Sequence, residues 1–131
     1  MRVLVDTHVL LWWLHDASRL RPTTRALFAE PANELLWSAA STWELAIKVQ
    51  LGKLRLDQPV HTFVMGVMAT QSLTSLPVHH AHAARIAELP ALHRDPFDRL
   101  LLAQANAESL LLITADQQLA QYPGPIRWIA A

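Results

Sequence analysis

Four acidic residues carry the chemistry that can be read from this chain: Asp6, Glu44, Asp98 and Asp116. Asp6 ends the largely apolar run Met1-Arg2-Val3-Leu4-Val5. Asp116 follows Leu110-Leu111-Leu112-Ile113-Thr114-Ala115, and Glu44 and Asp98 fall in stretches of helical periodicity. A carboxylate at the carboxyl end of a parallel strand points into the crevice where open α/β sheets bind ligands. Several carboxylates meeting there repel one another, so such a cluster asks for a cation, and hard divalent ions prefer oxygen ligands. The reaction that fits is phosphodiester hydrolysis, which needs an activated water and a stabilised leaving oxygen. One Mg²⁺ or Mn²⁺ lowers the pKa of a bound water, and a second about 4 Å away stabilises the leaving group. Helix N-termini after Asp6, before Asp98 and around Asp116 are placed to help hold a phosphate. The hydroxyls of Thr7 and Thr114 are placed to orient carboxylates or water.

These groups have to be positioned by a small set of elements. Arg2 to Val5 reads as a strand, followed by a helix capped by Thr7 with Val9-Leu10-Leu11-Trp12-Trp13-Leu14 as its apolar body. Pro22 opens a second helix that stops before Pro31, and Glu34 to Ser38 is a short strand. Ser41 or Thr42 caps the next helix, and Gly52 ends it in the position that tolerates a left-handed backbone. Pro59 opens a helix through Met68, Leu73 to Leu76 is a strand, and His79 to Glu88 a short helix. Asp95 caps a helix with Pro96 at its first position and Phe97, Leu100, Leu101 and Ala105 as its buried stripe. Leu111 to Ile113 is a strand, Asp116 to Gln121 a short helix and Ile126 to Ile129 a last strand. Strands alternating with helices predict an α/β fold with a central, mostly parallel sheet of about five strands.

Each acid also has an ordinary structural explanation. Asp6 and Asp116 suit turns or helix caps, and Asp98 suits the first turn of a helix, where negative charge is favoured. Glu44 has Lys48 four residues on, an exposed pair that contributes only a few tenths of a kcal/mol. What favours a shared role is that all four fall near strand ends of one sheet. Among the other polar groups, His79, His80 and His82 lack the spacing of a zinc site and read as solvated or packing residues. His8 stands between helix packing and an approach to substrate. Trp12, Trp13 and Trp43 suit core or interface positions better than base stacking.

The bulk composition bounds the rest. The chain has 131 residues, 52% hydrophobic and 17% charged, the size and core content of one domain spanning 1–131. It has no cysteine, which excludes disulfides and cysteine-type zinc sites and predicts a reducing cytoplasm. No apolar run approaches the roughly 20 residues that span a bilayer, and the N-terminus has no signal-peptide pattern. Eleven Lys and Arg balance eleven Asp and Glu. A broad phosphate-binding face is therefore not expected, and zero net charge with a high apolar content predicts a partner or self-association.

The residues then resemble a known family. Val3-Leu4-Val5-Asp6-Thr7-His8-Val9-Leu10-Leu11-Trp12 resembles the opening of PIN domains, and Ser41-Thr42-Trp43-Glu44-Leu45-Ala46-Ile47-Lys48 with Gly52-Lys53-Leu54 resembles their second motif. His93-Arg94-Asp95-Pro96-Phe97-Asp98-Arg99-Leu100-Leu101-Leu102-Ala103-Gln104-Ala105 is the most specific match, and Leu112-Ile113-Thr114-Ala115-Asp116 resembles the fourth motif. Together they resemble the VapC-type toxins of bacterial type II toxin–antitoxin pairs. The resemblance implies a three-layer α/β/α fold and a Mg²⁺- or Mn²⁺-dependent endoribonuclease acting in the cytoplasm on structured RNA such as tRNA or rRNA. It also implies a homodimer and a cognate antitoxin that blocks the site. Asp6 and Asp98 are then the principal metal ligands, with Glu44 and Asp116 completing the catalytic cluster and Asp95 beside it as a helix cap. Lys48, Lys53, Arg94 and Arg99 are the basic groups nearest the motifs and the candidates for RNA phosphate contacts. The competing reading is a non-catalytic PIN-like module that binds RNA or protein. A haloacid-dehalogenase-like phosphatase would want an acid where His8 stands, and a receiver domain would want paired acids near the first strand end.

Overall fold

The computed structural model describes residues 1–91, 95–122 and 126–128. Strand β1 (Arg2–Val5) leads into helix α1 (Thr7–His15), and α2 (Pro22–Ala29) precedes β2 (Glu34–Ser38). Helices α3 (Ala39–Gln50) and α4 (Val60–Thr70) follow, then β3 (Thr74–Leu76), α5 (His80–Arg85), α6 (Pro96–Glu108), β4 (Leu111–Thr114) and β5 (Ile126–Trp128). The sheet has five strands in the order β3-β2-β1-β4-β5. Every pairing is parallel, with Val3 opposite Leu35 on one side and Leu111 on the other. The predicted α/β sheet is thus present and wholly parallel.

A parallel sheet needs cover on both faces, and alternation along the strands supplies it. Val3, Val5, Leu35, Trp37 and Ile113 face one core with Val9 and Leu10 of α1, Leu27 and Phe28 of α2, Leu45 of α3 and Phe63 and Val64 of α4. Leu4, Leu36 and Leu112 face the other, against Leu100, Leu101, Leu102 and Ala105 of α6, with Leu119 and Tyr122. The result is a three-layer α/β/α sandwich. The chain runs outward from β1 through β2 to β3, then returns to place β4 on the other side of β1. The strand order therefore reverses between β1 and β4, where sheets of this kind form their ligand crevice.

Three local readings are corrected. Helix α3 starts at Ala39, because Ser38, the last residue of β2, is the cap: its hydroxyl accepts the Ala40 N–H at 3.0 Å. Ser41 and Thr42 lie inside the helix, and the Thr42 hydroxyl accepts from the Trp37 ring N–H at 3.0 Å. Helix α1 is capped by Asp6 rather than Thr7, and the Asp6 side chain makes no capping bond. The short helix expected over Asp116 to Gln121 is a single 3-10 turn, Leu119–Gln121. No helix N-terminus therefore stands at Asp116 to receive a phosphate. Gly52 does take the positive φ, 73°, that a helix-ending glycine allows. Ile129 lies outside the described residues.

Candidate active site

At the carboxyl edge of β1 and β4 is a cleft of about 500 Å³ lined by Asp6, Glu44, Asp95, Asp98 and Asp116 together with His8 and Trp12. Asp6 and Asp116 follow the ends of adjacent strands, α3 brings Glu44 from one side, and the first turn of α6 brings Asp98. Asp6, Glu44 and Asp98 are 3%, 4% and 7% exposed, far below the usual exposure of acids on a soluble domain. The four carboxylates proposed from sequence thus share one cleft.

Their electrostatics follow from that burial. Asp98 is pushed up to about 9, first by desolvation and then by the charges of Asp6 and Asp95 and by Asp116, to which it is hydrogen-bonded. Asp6 is also raised, chiefly by burial, with Glu44 adding to the effect and the Thr114 hydrogen bond opposing it. A protonated Asp98 donating to Asp116 eases the repulsion within the cluster.

Thr114 orients the cluster as its position predicted. Its hydroxyl donates to Asp6 Oδ2 at 2.6 Å and accepts the Asp116 N–H at 3.0 Å, tying the two strand ends together. Thr114→Val keeps the shape and removes both bonds. Outer partners of this kind typically cost 10–100-fold in metal affinity or activity, so a loss of about that size in single-turnover RNA cleavage is expected, with the circular dichroism spectrum unchanged. The Thr7 hydroxyl, by contrast, is buried without a partner, and it is the Thr7 backbone N–H that meets the Asp6 carboxylate. Asp95 caps α6, accepting the Phe97 and Asp98 N–H groups at 2.9 and 3.2 Å, while also lining the cleft.

The oxygen atoms of the cleft fit a divalent cation. Asp6 Oδ1 and Glu44 Oε1 are buried without a hydrogen-bond partner. Orphaned buried carboxylate oxygens are costly, and an oxygen-seeking cation is the ligand that relieves them. No three His, Asp or Glu side chains among the described residues stand as a ready ligand set. The fit therefore rests on the two orphaned oxygens and on Asp98 beside them.

The basic groups are distributed differently from the sequence reading. Lys48 turns inward, its Nζ 2.9 Å from Glu44 Oε2 and 3.4 Å from Nε2 of His8, which also lines the cleft. The Glu44–Lys48 pair is thus not an exposed surface pair, because Glu44 is buried. Arg99 does not line the cleft; it donates to the carbonyl of Ile86 at 3.3 Å, toward α5 and the following turn. Lys53 is exposed beyond the end of α3 and also lies outside the cleft lining. Arg94 is outside the described residues. Sequence reasoning missed Arg19, whose guanidinium lies 4.3 Å over the ring of the cleft residue Trp12. Trp13 is held in the fold by Gln71 at 3.1 Å and by Phe28. Trp43 is 57% exposed, with its edge against Phe97 at 4.9 Å. Of the histidines, His82 is buried, accepting the His79 N–H at 3.1 Å and pairing with Glu108 at 2.7 Å, a packing role.

No described helix is long and apolar enough to cross a membrane. The family model of the PIN domain matches residues 3–125. Ribonuclease VapC22 of Mycobacterium tuberculosis is 30% identical over 124 residues, 94% of this chain and 93% of that protein. Ribonuclease VapC16 of the same organism is 43% identical over 61 residues, 47% of this chain and 43% of that protein. Among solved structures, VapBC2 from Rickettsia felis bound to a DNA fragment from its promoter superposes with a TM-score of 0.71 at 15% identity, covering 97% of this chain and 98% of that one. DNA-bound VapBC from Salmonella typhimurium gives 0.67 at 16% identity, covering 97% of each chain. The shared fold, the order of the acidic motifs and the span of the match have one consequence: the chain belongs to the PIN-domain family and, within it, to the VapC type.

Proposed function

We propose that the protein is a divalent-metal-dependent endoribonuclease, the toxin of a toxin–antitoxin pair, which hydrolyses RNA phosphodiester bonds in the cytoplasm at the Asp6, Glu44, Asp98 and Asp116 cluster. The observation that carries this reading is the pair of buried, partnerless oxygens, Asp6 Oδ1 and Glu44 Oε1, at the strand-order reversal of the sheet. The names of the relatives and the VapBC neighbours support the activity and a cognate antitoxin, and the apolar composition supports a homodimer.

Asp6 and Asp98, with Glu44 and Asp116 completing the set, would hold Mg²⁺ or Mn²⁺, which would supply Lewis-acid activation of water and counter-charge for the leaving oxygen. The chain's own residues do the rest. Thr114 holds Asp6 Oδ2 and leaves Oδ1 as the unpartnered oxygen. Asp95 fixes the start of α6 and with it the Asp98 carboxyl. Asp98 holds a proton, favoured first by burial and then by the charges of Asp6 and Asp95, and would have to release it to serve as a cation's ligand. Trp12, steadied by Arg19, walls the cleft beside the acids.

The test is cleavage of a panel of total RNA, tRNA and rRNA by purified, antitoxin-free protein. Products with Mg²⁺ or Mn²⁺ and none with EDTA are expected. Folded protein that cuts no RNA in either metal would leave the non-catalytic binding module as the better reading.

A further inference from the structure

We infer that Lys48 supplies, as a fixed ammonium, the positive charge that a second divalent ion would otherwise bring to the cleft, so that each chain takes up one cation. This rests on the metal-dependent reading above and deepens it. Two cations about 4 Å apart are favoured by carboxylates that offer an oxygen to each. In both innermost acids one oxygen already has a partner in the chain. Glu44 Oε2 meets Lys48 Nζ at 2.9 Å and Asp6 Oδ2 accepts from Thr114 at 2.6 Å, which leaves Oε1 and Oδ1 as the unpartnered oxygens.

The ammonium is held there by more than one contact. Lys48 lies four residues after Glu44, on the same face of α3, and its Nζ also meets Nε2 of the cleft residue His8 at 3.4 Å. An ammonium has donors only, so His8 Nε2 is the acceptor in that contact, and the lysine is anchored at two points, to two residues that line the cleft. Its side chain is 30% exposed and that of its partner 5%, so the pair is screened less than one on the open surface. A cation approaching the same edge of Glu44 meets a like charge. One approaching the orphaned Oε1 and Oδ1 does not share an oxygen with it.

The experiment is a Mn²⁺ titration of the purified full chain, following free aquo-Mn²⁺ by electron paramagnetic resonance and heat by calorimetry, with no RNA present. Wild-type protein is expected to bind one Mn²⁺ per chain, with any second ion at least ten-fold weaker. Lys48→Met, which keeps the apolar stem and removes the charge, is expected to gain a second equivalent with at least ten-fold tighter binding than wild type shows for it. Lys48→Arg is expected to stay at one. Lys48→Gln serves in place of Lys48→Met if the latter is not folded by circular dichroism. Two comparable sites in wild-type protein, or one site in the neutral variants, would overturn the role of Lys48 while leaving the metal-dependent reading intact. No Mn²⁺ bound by folded wild-type protein would overturn both.

Discussion

Asp6→Asn and Asp98→Asn should each abolish RNA cleavage while the protein remains folded. Each change is nearly isosteric, removes the ionisable carboxyl and leaves a side chain that can still hydrogen-bond. Asp6 loses the oxygen chemistry that a hard cation prefers, and Thr114 keeps an acceptor. Changes at outer partners of metal sites cost roughly 10–100-fold, so loss of a ligand itself should exceed this, on the order of 10³-fold in the single-turnover rate. In the absence of divalent ions the same variants should be more stable than wild type near neutral pH, because an amide is neutral without the proton uptake that burying these raised carboxyls requires. This combination separates a functional cluster from a structural one: if these acids served only as caps or packing groups, the variants would lose stability and any metal-dependent activity would persist. The readouts are a quenched-flow cleavage assay with Mn²⁺ and thermal unfolding in EDTA. Retained cleavage in either folded variant would remove that residue from the site.

The features legible in the sequence are those with a spacing rule. The alternation Val3-Leu4-Val5 splits β1 between two cores, as a buried parallel strand requires, and Asp95-Pro96 marks the start of α6. Motif order located the acids, and the strand ends placed two of them in the crevice. What was not legible depends on rotation and on junctions without loops. Ser38 ends β2 and caps α3 at once, so no turn signal separated the two and the cap was sought further along. Arg99 is adjacent to Asp98, yet neighbours on a helix point about 100° apart; with Asp98 facing the cleft, Arg99 faces Ile86. Lys48 shares a face with Glu44, which the spacing predicted, but the depth of Glu44, and hence the strength of the pair, depends on packing from α1 and the sheet. Arg19 reaches Trp12 across the end of α1, a contact that no sequence spacing announces.

Without divalent ions the protein should lose stability as pH rises through neutrality, and a bound cation should reverse the trend. The carboxyl of Asp98 sits at about 9 in the folded chain against an ordinary value of 3.8. The folded state thus holds this proton more tightly than the unfolded state. Its stabilising effect is complete below about 3.8, declines across the window between the two values and is gone above about 9. Within that window folding takes up a proton at this group, so each pH unit costs up to about 1.4 kcal/mol, or roughly 4 °C in Tm for a domain of this size. Asp6, raised for the same reason, adds to the slope. Asp6 and the histidines are common to wild type and variant, so the difference between wild type and Asp98→Asn isolates this contribution. Thermal unfolding from pH 6 to 9 in EDTA should show wild type falling with pH and Asp98→Asn falling less. Adding Mn²⁺ should flatten or invert the wild-type curve, because a cation competes with the proton and gains as the proton leaves. Parallel curves for the two proteins in EDTA would mean that Asp98 is ionised in the folded chain, and the shared proton with Asp116 would have to be abandoned.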